Sequence, residues 1–328
     1  MRTPLLRLSP RTVRLLGRLP RLAPWGSLLA GLFSAWSMDR SAERAGLVVA
    51  SAWAGWLAYW LLLHREQRVG QAPGWPLAVA RLLAQSGAQL PLLFVYPFYL
   101  RAATASWPHR LFIASLGLAG LTTLWEPLHR RLMRQAAAGP ALQALGTFAA
   151  LNMLWPILGR GNGEGLAVAT ATTVVVVPLT VGLARGRGRP LAAALWLSLL
   201  LALVGAAGRL GPWVPAAPLH LVQVALGTRL VGLELQDASD QFRPVPTQLV
   251  CSSRILAPRG LHDRLLHVWS VEGQIVDRIA LAVTGSEQGF RTWSIKRSPA
   301  ALRAGLWRCQ IETAAGQVLG AASARIDD

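Results

Sequence analysis

Three residues in the last third of the chain, His262, Asp263 and His267, are of the types that bind metals or move protons. Their spacing matches no familiar zinc site, and Cys251 and Cys309 lie too far apart in sequence for a CxxC pair. Ser286 lacks the GxSxG frame that exposes a hydrolase nucleophile, and no two close acids suggest glycosidase chemistry. The glycines at 159, 161, 163 and 165 resemble a phosphate loop only in composition. They follow an apolar helical segment and lack the Lys-Ser/Thr ending, which reads as a tight turn. No catalytic residue, metal ligand set or cofactor is assigned on these grounds. Alternation along the chain puts His267 between Leu265 and Trp269, the place of a core or edge histidine. An enzyme would have to gather Trp213, His220 and His262 where two halves of the chain meet.

Binding chemistry is better represented. Phe290 to Arg297 alternates Arg291, Trp293, Ile295 and Arg297 against Phe290, Thr292, Ser294 and Lys296. Arg291, Trp293, Lys296 and Arg297 form a candidate surface for an envelope protein, a glycan or an anionic lipid headgroup. The bland alternative makes Trp293 core and the cations a solvated rim. A second polar set, Arg81, Gln85 and Gln89, repeats every four residues, so it shares one helix face. With Asn152 it is a candidate intramembrane polar face for a transporter or channel; the alternative is a snorkelling Arg beside packing amides. No acid falls mid-segment, although coupled carriers usually keep one.

The elements that must position these residues divide the chain in two. The formal charge of +18 invites a nucleic-acid reading. Its distribution argues otherwise: residues 1–220 hold 21 Arg and 5 acids, while the remainder holds 12 basic and 10 acidic groups. The excess therefore belongs to the front part, and no nucleic acid is expected as a partner. There, apolar segments alternate with short Arg-bearing loops. A membrane span needs ~20 apolar residues to cross ~30 Å of hydrocarbon. By that rule seven spans are expected, at about 22–38, 46–64, 77–100, 110–127, 140–158, 165–184 and 190–208, after a basic cytoplasmic stretch at 1–21. Trp25, Trp36, Trp60, Trp75, Trp107, Trp125, Trp155 and Trp213 fall near span ends, where amphipathic rings suit the headgroup layer.

Orientation follows from arginine. With the N-terminus inside, the inner loops carry fifteen Arg and the outer loops six: Arg40, Arg44, Arg101, Arg110, Arg160 and Arg209. An odd span count then puts the C-terminal part outside the cytoplasm. Three prolines between Gly211 and Pro218 cannot continue a helix, so 209–220 reads as a stiff connector holding that part off the bilayer.

Beyond the connector the apolar period drops to two. Trp307, Cys309 and Ile311 alternate inward, a turn follows at Ala315-Gly316, and Val318, Gly320, Ala322, Ala324 and Ile326 return inward. A second hairpin turns at Glu272-Gly273. About seven strands in 221–328 match the size of an immunoglobulin-like β-sandwich. Cys251 and Cys309 both fall on inward faces, as a disulfide or as two buried thiols.

The order His267-Val-Trp269, Gly273, Gly289 to Lys296, Gly305-Leu-Trp-Arg308 and Gly316 to Gly320 resembles the bacterial family called domain of unknown function 2914. The resemblance implies a C-terminal module behind a multi-span block, in a bacterial inner membrane, with no established activity. It also implies a β-branched residue where Cys309 stands. The leading expectation is a helical membrane protein displaying an extracytoplasmic β-sandwich as a binding or assembly module. Transport in the bundle, with the sandwich as a lid, and an envelope-modifying enzyme at the junction are the alternatives.

Overall fold

The computed structural model describes residues 92–135, 138–185, 209–286, 289–297 and 302–327, with isolated positions between 25 and 33 and at 199. The basic stretch 1–21, the expected span at 46–64, most of those at 22–38, 77–100 and 190–208, and Arg81, Gln85 and Gln89 lie outside the described residues.

Five helices lie within residues 92–185: α1 (92–102), α2 (Trp107–Leu124), α3 (Glu126–Arg134), α4 (Ala138–Ile157) and α5 (Asn162–Arg185). The expected segment 110–127 is broken at Trp125, whose extended backbone separates α2 from α3. Pro127 explains the break, since it has no N–H to offer the preceding turn and is tolerated only in the first turn of the next helix. In α3, Leu128 and His129 turn inward while Arg131 is exposed. The four-residue link after α4 makes α4 and α5 antiparallel neighbours. Gly165 lets them close up, because a Cβ there would lie 3.1 Å from Trp155 Cβ and 3.3 Å from Pro156 Cδ. Tyr99, Leu116, Ala149, Met153 and Leu166 fill the helical core. Among the described residues, no helix is long and apolar enough to cross a membrane.

The chain from residue 220 is a β domain of ten strands. These are β1 (His220–Gly227), β2 (Arg229–Val231), β3 (Glu234–Gln236), β4 (Gln241–Phe242) and β5 (Gln248–Leu256), then β6 (His262–Val271), β7 (Gln274–Thr284), β8 (Phe290–Arg297), β9 (Gly305–Thr313) and β10 (Val318–Ile326). One sheet has the order β1-β5-β8 and a second β4-β10-β9-β6-β7; β2 and β3 form a small ribbon. Inward residues of the two larger sheets share one core, including Leu249, Cys251, Leu265, Trp269, Trp307 and Ile311. Trp269 and Trp307 meet edge to face at 6.2 Å.

Both expected hairpins form. Glu272 and Gly273 take φ of 48° and 77°, the left-handed pair that matches strand twist in a two-residue turn. Gly316 closes the other at φ 79°. The alternation expected for β10 fails at its start, because the register shifts between Val318 and Gly320. A bulge of this kind reverses which side chains face inward, so Leu319 enters the core while Val318 does not.

The connector also departs from expectation. Instead of holding the β domain away, residues 214–219 are buried. Val214 and Ala217 pack in the helical core, and Ala216 and Leu219 in the β core. A Cβ on Gly211 would fall 1.8 Å from the carbonyl oxygen of Ala315, so only glycine fits where the connector crosses the β9–β10 turn.

Candidate binding cleft at the junction of helices and β domain

Among the described residues, three segments before β1 touch the β domain. The first is the C-terminal end of α1, where His220 Nδ1 lies 3.1 Å from the Arg101 carbonyl. The second is the turn between α4 and α5. Here the Asn162 backbone N–H donates to Asp263 Oδ2 at 2.8 Å, and Asn162 Nδ2 donates to the same oxygen at 3.2 Å. A carboxylate from β6 thus satisfies the open N-terminus of α5, where the helix dipole favours negative charge. The glycine run serves this contact. A Cβ at Gly159 would approach Gly260 O to 2.8 Å, and one at Gly161 would approach Asp263 Oδ1 to 3.2 Å. The third is the connector, where buried Gln317 donates from Nε2 to the carbonyls of Val214 and Pro215 at 3.3 and 3.4 Å.

Beside the first contact lies a cleft of about 530 Å³, lined from the end of α1, the loop after it, β1, β9 and β10 and within the range of small-ligand sites. Its polar lining comes from Arg101, Thr104, Ser106, His220, Arg308 and Gln310, with the Ser323 hydroxyl beside them. Among the described residues, no carboxylate lines it. Thr104 Oγ1 lies 3.0 Å from Ser106 Oγ and 2.9 Å from His109 Nδ1, which fixes the loop. A carbonyl oxygen can only accept, so His220 carries its proton on Nδ1 when neutral, leaving Nε2 as an acceptor. Burial, and then the charge of Arg101, push the His220 pKa below its usual value, against the pull of that carbonyl bond. The cleft therefore carries a neutral imidazole between two arginine-bearing segments.

His262, Asp263 and His267 do not share one site, whereas His267, Cys251 and Cys309 meet in the β core. His262 is exposed, Asp263 caps α5, and His267 is fully buried. His267 Nε2 faces Ser253 Oγ at 3.1 Å and Nδ1 faces Ser294 Oγ at 2.9 Å. Because Ser253 Oγ donates to Thr292 O at 3.5 Å, it accepts from Nε2–H. Ser294 Oγ, which accepts from Trp269 Nε1 at 2.9 Å, gives its hydrogen to Nδ1. Every polar atom is then used, and burial lowers the pKa of this ring to about 4. His267 is a core histidine. Beside it, Cys251 and Cys309 form a disulfide that joins the two large sheets.

On β8, Thr292 and Ser294 face the core, so Trp293 is on the outer side and half-buried, not a core residue. Arg291 and Arg297 are exposed there. Arg291 lies 3.9 Å from Glu234 of the ribbon, and Arg297 Nε donates to Gln248 Oε1 at 3.2 Å. Lys296 leaves this group: it faces the other side and pairs with Asp277 of β7, a contact that lowers the Asp277 pKa. Asn152 is fully buried and donates through Nδ2 to Tyr99 Oη at 2.9 Å; Tyr99 donates to Ala149 O at 2.9 Å. In the described bundle it binds helices together. The junction cleft went unnoticed in sequence because Arg101, His220 and Arg308 are distant and follow no motif. A signal was present in Arg101 alone, an arginine at the outer end of an expected span.

Comparison with known proteins adds family membership but no activity. Residues 262–326 match a protein of unknown function, DUF2914. No curated protein matches. A solved structure, Pseudomonas fluorescens alkylpurine DNA glycosylase AlkC bound to DNA containing an abasic site analog, is similar at 9% identity. That alignment covers 88% of this chain and 98% of the other with a TM-score of 0.24, which carries no argument about fold or function. Residues 3–251 match the family of unknown function DUF5924, about three-quarters of the length, and the chain belongs to that family.

Proposed function

We propose that this is a seven-span bacterial inner-membrane protein, N-terminus in the cytoplasm, carrying an immunoglobulin-like sandwich outside as a docked binding module. One observation carries the reading. Arginine counting assigns four segments to the outer face; the one at about 39–45 lies outside the described residues, and the other three, about 101–109, 159–164 and 209–220, all meet the β domain. The first two of these three lie far from the β domain in sequence, so their meeting it does not follow from the covalent link.

Helix α2 supports it. Trp107 and Trp125 stand at its two ends, both 64% exposed, with exposed Leu111, Leu118 and Leu121 between them. Eighteen residues at 1.5 Å each separate the rings by ~27 Å, close to the hydrocarbon thickness. Strongly polar residues of the described helices include several that are turned inward or sit at ends, while the exposed Ser115 hydroxyl of α2 bonds back to the Phe112 carbonyl. His109 and Asn152 are fully buried, and Glu164 lies in the first turn of α5. In this reading the module is built to bind, because its catalytic residue types are scattered while its junction forms a lined cleft.

The test is a topology series. A reporter active only outside the cytosol should work after Asp328 and fail when inserted at 136–137. Activity at both positions, or at the second alone, would overturn the orientation; recovery of the chain in the soluble fraction would overturn the membrane reading itself.

A further inference from the structure

We propose that the centre of the β core is a redox-gated metal site: with the disulfide open, Cys251, Cys309 and His267 hold a zinc ion. The inference is independent of the membrane reading above.

Position is the first argument. The two sulfurs and a ring nitrogen of His267 lie within 4.8 Å of one another, and all three residues are fully buried. Tetrahedral zinc, with Zn–S of ~2.3 Å and Zn–N of ~2.0 Å, keeps its ligand atoms roughly 3.3–3.8 Å apart. The present spread exceeds that spacing by about 1 Å at most. Strand register explains the convergence. Cys251 of β5 stands opposite Ser294 of β8, and Cys309 of β9 stands opposite Trp269 of β6. His267 is two residues before Trp269, so its ring enters the same interior from the same strand.

Charge is the second. A zinc ion, two thiolates and a neutral imidazole sum to zero, so the set can be buried without an unpaired charge. The His267 ring carries its proton on Nε2, donated to Ser253. Nδ1 therefore keeps a lone pair, which now accepts from the Ser294 hydroxyl at 2.9 Å. Because Ser294 is the cross-strand partner of Cys251, Nδ1 is the nitrogen on the cysteine side. The metal takes that lone pair in place of the hydroxyl hydrogen, and the Nε2–H bond to Ser253 holds the ring in its tautomer and orientation. The Ser294 oxygen is then placed for the fourth position.

Both cysteines are made as thiols, so metal capture and oxidation are alternative fates of one pair. Capture forms two Zn–S bonds and one Zn–N bond and releases two protons, one from each thiol. Oxidation forms the Sγ–Sγ bond instead and passes two electrons and two protons to an acceptor disulfide, which gives the closed pair of this structure. A disulfide offers no thiolate, so the closed pair does not hold the ion.

The experiment uses the full chain in detergent, reduced with a water-soluble phosphine. The phosphine becomes its oxide, with oxygen from water, as the two thiols form, and it is then removed. Reducing a buried disulfide requires the core to open, so the ion has the same way in. Cobalt(II), a spectroscopic stand-in for zinc, is titrated without oxygen. The reduced chain should take up one cobalt, with thiolate-to-cobalt charge-transfer absorption and the strong d–d bands of a four-coordinate ion, and should lose both when zinc displaces it. The chain has 2 Cys, so a sulfur band reports this pair alone. Cys309→Val should abolish the band. His267→Gln, which keeps both thiols, should shift the d–d bands and weaken cobalt by at least about tenfold. His262→Ala, at an exposed position of the same strand, should change nothing. A chain with two free thiols and no sulfur band overturns the proposal, as does a band that His267→Gln leaves unchanged in position and affinity. Equal absorption from the oxidised chain overturns the gating. Amides 262–271 should stay protected from hydrogen exchange in the loaded chain; a band without that protection is binding by an unfolded segment and overturns the site.

Discussion

His267 makes the stability of the β domain depend on pH in a calculable way. The buried ring has its pKa lowered to about 4, against 6.5 for the free side chain. Between those values the unfolded chain holds a proton that the folded chain refuses. Stability therefore falls as pH drops through this window, and the contribution of the neutral ring is whole only above pH 6.5. The difference of about 2.5 units corresponds to roughly 3 kcal/mol, at about 1.4 kcal/mol per unit. Replacing His267 with Gln removes the titration and keeps one donor and one acceptor for Ser253 and Ser294. Urea unfolding of the full chain, followed by hydrogen exchange in peptides spanning 262–271, should show wild type losing roughly 3 kcal/mol more than His267→Gln between pH 7 and pH 4. His220 and Asp277 titrate in both proteins and cancel in the comparison. Parallel pH profiles for the two would refute the argument, whatever the variant costs at pH 7.

Three further outcomes are expected. Asp263→Ala should loosen the contact between α5 and the β domain by about 1 kcal/mol while Asp263→Asn keeps an acceptor and loses less, read as exchange rates at 159–165. Gly211→Ala should fail to seat the connector, since its Cβ would meet the Ala315 carbonyl at 1.8 Å, and limited proteolysis should then cut within 209–219. Wild type should take up a thiol reagent only after reduction, and Cys309→Val should cost about 2–4 kcal/mol of unfolding free energy, read by the same urea titration.

The strands were legible because their signal is local. Trp307, Cys309 and Ile311 alternate without interruption, and Glu272-Gly273 is a turn that few other backbones would accept. The bulge at Val318 was hidden, since nothing in Val-Leu-Gly marks the extra residue. Trp293 was ambiguous for a physical reason. Its strand alternates small polar residues with large ones, and hydrophobic size alone misassigns the faces when Thr292 and Ser294 are inward to serve the His267 network. The glycines at 159–165 were legible as a turn but not as a docking surface, because their partners, Gly260 and Asp263, are about a hundred residues away. The cleft has the same origin: its three charged or titratable members come from α1, β1 and β9.

The stretch from Val214 to Leu219 contributes side chains to both interiors. An excision beginning at residue 221 would therefore leave each half with an uncovered apolar scar, and the sites most worth testing would be lost with it. For the same reason, a displacement of the strands has no slack to absorb it before it reaches the helices.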